Sequence, residues 1–78
     1  MRETDFELEP GRDHVELNQL LKLCGLAGSG GEGKHLVASG AVQVDGAVEL
    51  RKTCKIRAGQ VVQAGPMRIR VLPPVAGG

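Results

Sequence analysis

Hydrophobic residues recur along this chain with two different periods, and the change of period marks where helices give way to strands. Leu17, Leu20, Leu21 and Cys24 fall at i, i+3, i+4 and i+7, one face of a helix, and Gly25 supplies a stop. A first helix of about nine residues is expected there. Gly33, Leu36, Val37 and Gly40 repeat the same spacing. Ser29 ahead of them is a good N-cap, and Glu32 completes a capping box that satisfies two unpaired backbone donors reciprocally. Gly40 stands where a left-handed C-terminal cap belongs. From Val42 the period drops to two: Val42 and Val44 alternate with smaller or polar neighbours, and Asp45-Gly46 is a strong hairpin turn.

The rest of the chain continues in strands. Ala47 to Leu50 returns from the turn, with Val48 and Leu50 on one face, and Arg51-Lys52-Thr53-Cys54-Lys55 follows as a basic, polar connection. Ile56 re-enters the core, Ala58-Gly59 turns, Val61-Val62 forms another strand and Gly65-Pro66 breaks it. Met67, Ile69 and Val71 then point one way while Arg68 and Arg70 point the other, the mark of a half-buried strand. Ahead of the helices, D-F-E-L-E alternates too, and reads either as an added edge strand or as a frayed leader set off by Pro10-Gly11. Helices this short cannot stand alone and must pack on each other and on the sheet. The fold class expected is α+β: two short N-terminal helices packed on a small, mainly antiparallel sheet. The expected organisation is an acidic leader over 1–13, a domain over 14–72, and a flexible tail over 73–78 that begins at Pro73-Pro74.

The 78 residues leave room for one small domain. Cys24 and Cys54 stand far apart, with no close pair of the kind metal sites or redox motifs use, so two free thiols in a reducing compartment are expected, Cys24 buried. No apolar run approaches the roughly 20 residues of a membrane span, and the acidic N-terminus is unlike a signal peptide. The expectation is a soluble, cytoplasmic protein. Net charge is +1, but its distribution is uneven. Glu3, Asp5, Glu7, Glu9, Asp13 and Glu16 outnumber Arg2 and Arg12 by four in residues 1–16, whereas the remainder carries five more bases than acids. A basic module with an acidic leader points to an anionic partner. No nucleophile elbow, phosphate loop or zinc-protease motif is present, and no metal or cofactor site is expected.

Three segments carry a resemblance: Leu17–Gly25, the S-x-x-x-G-K of Ser29–Lys34 and the G-x-V-x-V-D-G of Gly40–Gly46. They resemble the ribosomal-protein-S-four-like RNA-binding domain, the αL motif. The run D-G-A-V-E-L-R-K-T-C-K-I-R-A-G-Q further resembles its short stand-alone bacterial members, the YbcJ-like group. The resemblance covers about residues 14–72 and implies a non-catalytic protein binding structured RNA, ribosomal or tRNA-like. It assigns Ser29 to the capping serine and Lys34 to the basic residue of the second helix. Gly40, Asp45 and Gly46 match the helix stop and the turn, with Asp45 in place of the commoner asparagine. Two positions depart from the pattern. Gly30 stands where larger members have an arginine, removing one phosphate contact, and Gly33 replaces an alanine, costing that helix roughly 0.5–1 kcal/mol.

The resemblance further implies that Lys34, Arg51, Lys52 and Lys55 gather into one basic groove, with Lys22 at its rim and Ser29 and Gly30 nearby. With Phe6 the only aromatic, base stacking is unfavoured and recognition of a folded backbone fits better. About five phosphate contacts would give a salt slope of roughly −3.5 to −4.5. Arg68 and Arg70 read as the plain outer face of a strand, and His14 and His35 as non-ligands. The ending P-P-V-A-G-G offers a rival, because it resembles the diglycine tail of small sulfur-carrier proteins, with Gly78 activated at its carboxylate. A protein-binding adaptor on a ribosomal particle is a third reading. The protein is expected to be monomeric.

Overall fold

A computed structural model of the chain describes residues 2–75. In chain order these form β1 (Arg2–Glu7), β2 (Val15–Glu16), α1 (Leu17–Leu23), α2 (Gly30–Ala38), β3 (Val42–Val44), β4 (Ala47–Val48), β5 (Lys55–Ile56), β6 (Val61–Ala64) and β7 (Met67–Leu72). A five-stranded sheet runs in the order β1-β7-β6-β3-β4, and β2 pairs separately with β5. Only the β1–β7 pairing is parallel among the described residues. Two helices on a mainly antiparallel sheet is therefore the architecture observed. Gly77 and Gly78, the pair on which a carrier reading would rest, lie outside the described residues.

The local signals act as their chemistry requires. Gly25 and Gly40 take φ values of 79° and 80° and end the two helices. Asp45 and Gly46, at φ 51° and 85°, form the tight turn between β3 and β4. Asp45 does more than turn. Its Oδ1 accepts the Val61 backbone N–H at 3.0 Å and its Oδ2 accepts Gln60 Nε2 at 3.2 Å, fastening the hairpin to the start of β6. The capping box differs in one partner. Ser29 Oγ accepts the Glu32 N–H at 3.2 Å as expected, but the Glu32 carboxylate reaches the N–H of Gly28 at 2.7 Å, one residue further out than Ser29.

Helix α1 has only seven residues and ends at Leu23, shorter than its spacing suggested. Leu17, Leu20 and Leu21 are nonetheless fully buried against Val37, Val42, Ile56, Val62, Ile69 and Val71. Each such side chain contributes on the order of 1.5–3 kcal/mol, enough to hold a helix that would not form alone. Cys24 is half-buried, not buried, because it already lies in the C-cap. Leu23 projects outward and is 61% exposed. The return strand is shorter than expected, and Val48 and Leu50 are both exposed.

Of the two readings of the N-terminal segment, the edge strand is what forms. Phe6 lies opposite Val71 and packs on the core, while Glu3 and Asp5 lie opposite Arg68 and Arg70 on the outer face. Arg68 Nη1 donates to Glu3 Oε1 at 3.2 Å, and Arg70 Nε donates to Asp5 Oδ1 at 3.2 Å. The Asp5 hydrogen bonds raise the Arg70 pKa. A one-residue slip would expose Phe6 and invert the whole strand, so burial and charge select the same register.

The two helices meet at Gly33. A methyl group there would stand 2.7 Å from the Asn18 carbonyl oxygen and 3.3 Å from its Cα. The glycine expected to weaken α2 is thus the residue that lets α1 and α2 touch. Gly33→Ala should lower stability by about 1–3 kcal/mol through overpacking, although alanine favours the helix by about 1 kcal/mol. Chemical denaturation measures this; a neutral or stabilising result would contradict the close crossing.

Candidate nucleic-acid interface

Helix α1 begins at Leu17, and its N-cap residue Glu16 provides no side-chain cap. Its first N–H groups need partners from elsewhere. The loop before β5 supplies them: Leu17 N–H donates to Cys54 O at 2.9 Å and Asn18 N–H to Lys52 O at 3.1 Å. Just upstream, Val15 pairs with Ile56 and Glu16 with Lys55. These bonds pin the 51–55 segment to the start of α1. Asn18 also meets Gly33 of α2 through its carbonyl, which sets Lys34 beside the same helix end.

Lys34, Arg51, Lys52 and Lys55 consequently line one open depression, together with Leu50, Thr53 and Cys54. Among the described residues, Lys34, Lys52 and Lys55 have no ion-pair partner. Arg51 does have one. Its Nε donates to Glu49 Oε2 at 3.0 Å and its Nη2 to Glu49 Oε1 at 3.1 Å, while its backbone N–H donates to Oε2 at 2.9 Å. The hydrogen bonds from Arg51 hold the Glu49 carboxyl down at about 2 and raise the Arg51 pKa in return. Cys54 lies at the edge of this group, its thiol pushed up first by burial and then by Glu49.

The other candidate residues fall elsewhere. Lys22, in the last turn of α1, does not line the depression, and neither do Ser29 and Gly30 at the start of α2. The Ser29 hydroxyl is engaged as a cap, and Gly30 lies beside the side chains of Gln19 and Asn18. Gly40, Asp45 and Gly46 serve the backbone. Arg57 reaches Asp13 at 3.4 Å, and His14 hydrogen-bonds the same carboxylate at 2.7 Å; the His14 bond is the chief reason the Asp13 pKa is lowered. His35 is exposed on α2. A second depression, between β1 and α1, mixes Phe6, Leu8, Val15 and Leu23 with Glu9, Arg12, His14 and Glu16, and has no surplus of positive charge.

Two contributors had no readable signal in the sequence. Asn18 is 3% exposed, with a buried Oδ1 that has no hydrogen-bond partner, and its role is carried by its backbone. Glu49 lies two positions before Arg51, a spacing that fits many unrelated pairs.

A sequence model of the S4 domain matches residues 6–72. The chain belongs to the S4 domain family. It is 52% identical over 59 residues to YbcJ of Escherichia coli (strain K12), a protein whose name proposes RNA binding; the match spans 76% of this chain and 84% of that one. YbcJ of Shigella flexneri matches to the same extent. The solution structure of Escherichia coli YbcJ, described as revealing an αL motif involved in RNA binding, superposes with a TM-score of 0.67 at 48% identity, covering 87% of this chain and 85% of that one.

The Glu49–Arg51 pair makes a pH prediction. The folded pKa of Glu49, about 2, lies below its ordinary value of 4.5, so its contribution to stability is present above that value and disappears as pH falls toward about 2. Glu49→Gln should therefore be less stable than wild type near neutrality, and the difference should close in acid. Urea denaturation at stepped pH reads it; a gap that stays constant would show that the pair is not formed.

Proposed function

We propose that this chain is a non-catalytic RNA-binding protein that seats the backbone of a folded RNA, ribosomal or tRNA-like, in the depression lined by Lys34, Arg51, Lys52 and Lys55. The observation that carries this reading is the convergence itself. Cations from α2 and from a loop far along the chain open onto one surface, and three of them are unpaired among the described residues. Basic groups on a rigid frame gain affinity for a polyanion mainly by releasing its condensed counterions. Phe6, the lone aromatic, packs on the core, so the groove has no stacking platform and shape recognition is favoured. The RNA-binding description of Escherichia coli YbcJ supports the same reading.

On this reading Lys22, Ser29 and Gly30 are outlying contacts, reached only by an RNA that extends along the helices. The setting is cytoplasmic, with a monomer docking on a folded RNA or on a ribosomal particle that displays one. No helix among the described residues is long and apolar enough to cross a membrane. Removing Gly77-Gly78 leaves binding intact if the protein works this way and abolishes function if it is a sulfur carrier.

Fluorescence anisotropy with a stem-loop RNA tests the proposal. With Arg51 already engaged by Glu49, three to four phosphates are neutralised, and log affinity against log salt should slope at roughly −2 to −3.6. That is shallower than five contacts would give. Reversing Lys34, Lys52 and Lys55 to Glu together should weaken binding on the order of a hundredfold. Replacing Arg68 by Ala, which removes a surface ion pair between β7 and β1, should change it by no more than about twofold. A flat salt response, or equal losses from both surfaces, would contradict the assignment.

A further inference from the structure

We propose that Glu49 is a specificity-determining residue of the basic groove: by occupying one edge of the Arg51 guanidinium it restricts which polyanions Arg51 can serve. The inference rests on the RNA reading above and adds a selective element to it. The Glu49 carboxylate takes Arg51 Nε and Nη2, and the Glu49 side chain as a whole is 17% exposed against 78% for that of Arg51. The guanidinium thus leans outward over a carboxylate tucked beneath it. Its Nη2 also faces Cys54 Sγ at 3.8 Å, a longer and weaker contact than a phosphate oxygen would make. Among the described residues Nη1 has no hydrogen-bond partner.

A phosphate must then approach Arg51 end-on, from the Nη1 side. The paired group carries little net charge, so it adds little to the long-range attraction of an arbitrary polyanion. It rewards a phosphate that stands at the open end and opposes one that comes against the carboxylate. Discrimination commonly needs such an opposing element as well as attractive ones. A folded RNA presents its phosphates already in place, whereas a flexible strand must order one there. The fork geometry matters as much as the charge, since lysine cannot offer two parallel donors from a fixed plane.

The test compares wild type and Glu49→Gln against a stem-loop RNA and an unstructured poly(U) of equal length. Glutamine keeps a carbonyl oxygen for the Arg51 backbone N–H, and thermal unfolding checks that the variant is folded. Glu49→Gln should bind poly(U) about 3–10-fold tighter, with a salt slope steeper by about 0.7–0.9 as one further phosphate is neutralised. The stem-loop should gain less, so the preference for it narrows. Arg51→Lys provides a second reading: stem-loop affinity should fall about 3–10-fold while poly(U) affinity holds, because charge is kept and the fork is lost. Equal gains for both RNAs in Glu49→Gln, or none, would overturn the role of Glu49 while leaving RNA binding standing. Failure of wild type to bind either RNA would overturn both.

Discussion

The backbone of Asn18 is the point on which two separate parts of the chain are fastened. Its N–H donates to the carbonyl of Lys52, and its carbonyl lies so close to Gly33 that a Cβ there would stand 2.7 Å away. One contact holds the loop, the other holds α2, and Asn18 itself is almost wholly buried. A helix start without a side-chain cap must find acceptors for its first donors. Here those acceptors belong to the segment that carries the basic residues. Satisfying α1 therefore fixes the loop half of the groove, and the Asn18–Gly33 contact fixes the α2 half.

Electrostatics complete the division of the surface. The acids of the N-terminal segment do not stay in a loose leader. Glu3 and Asp5 neutralise Arg68 and Arg70 across the β1–β7 pairing, and Asp13 takes Arg57. Exposed pairs of this kind are screened and individually weak. Their consequence is to decide which cations remain available. Lys34, Lys52 and Lys55 are left unpaired among the described residues on a single depression, while the arginines of β7 are neutralised on the outer sheet face.

What could be read from the sequence was local. Ser29 with Glu32, the stops at Gly25 and Gly40, the Asp45-Gly46 turn and the alternation of β7 each depend on a few neighbouring residues, and each forms, with the Glu32 arm of the cap reaching Gly28 in place of Ser29. What escaped depends on partners distant in the chain. The two-residue pairing of β2 with β5 is too short to leave a period. The choice of edge strand over frayed leader is made by Val71 and the arginines of β7, about sixty positions away. Gly33 reads as a helix defect until Asn18 is seen against it. Arg51 counts as a free cation until Glu49 is found beneath it. The gathering of Lys34 with the 51–55 segment is implied by the family pattern alone, since spacing along the chain carries no information about it.

Amide chemical-shift mapping on titration with a stem-loop RNA tests the shared anchorage most directly. The amides of Lys34, Lys52, Thr53 and Lys55 should move together along one binding curve, with Gly33 and Asn18 shifting beside them. Those of Glu3, Asp5, Arg68 and Arg70 should stay in place. Shifts confined to one of the two segments, or centred on the β1–β7 face, would show that folding does not unite these side chains into one surface for RNA.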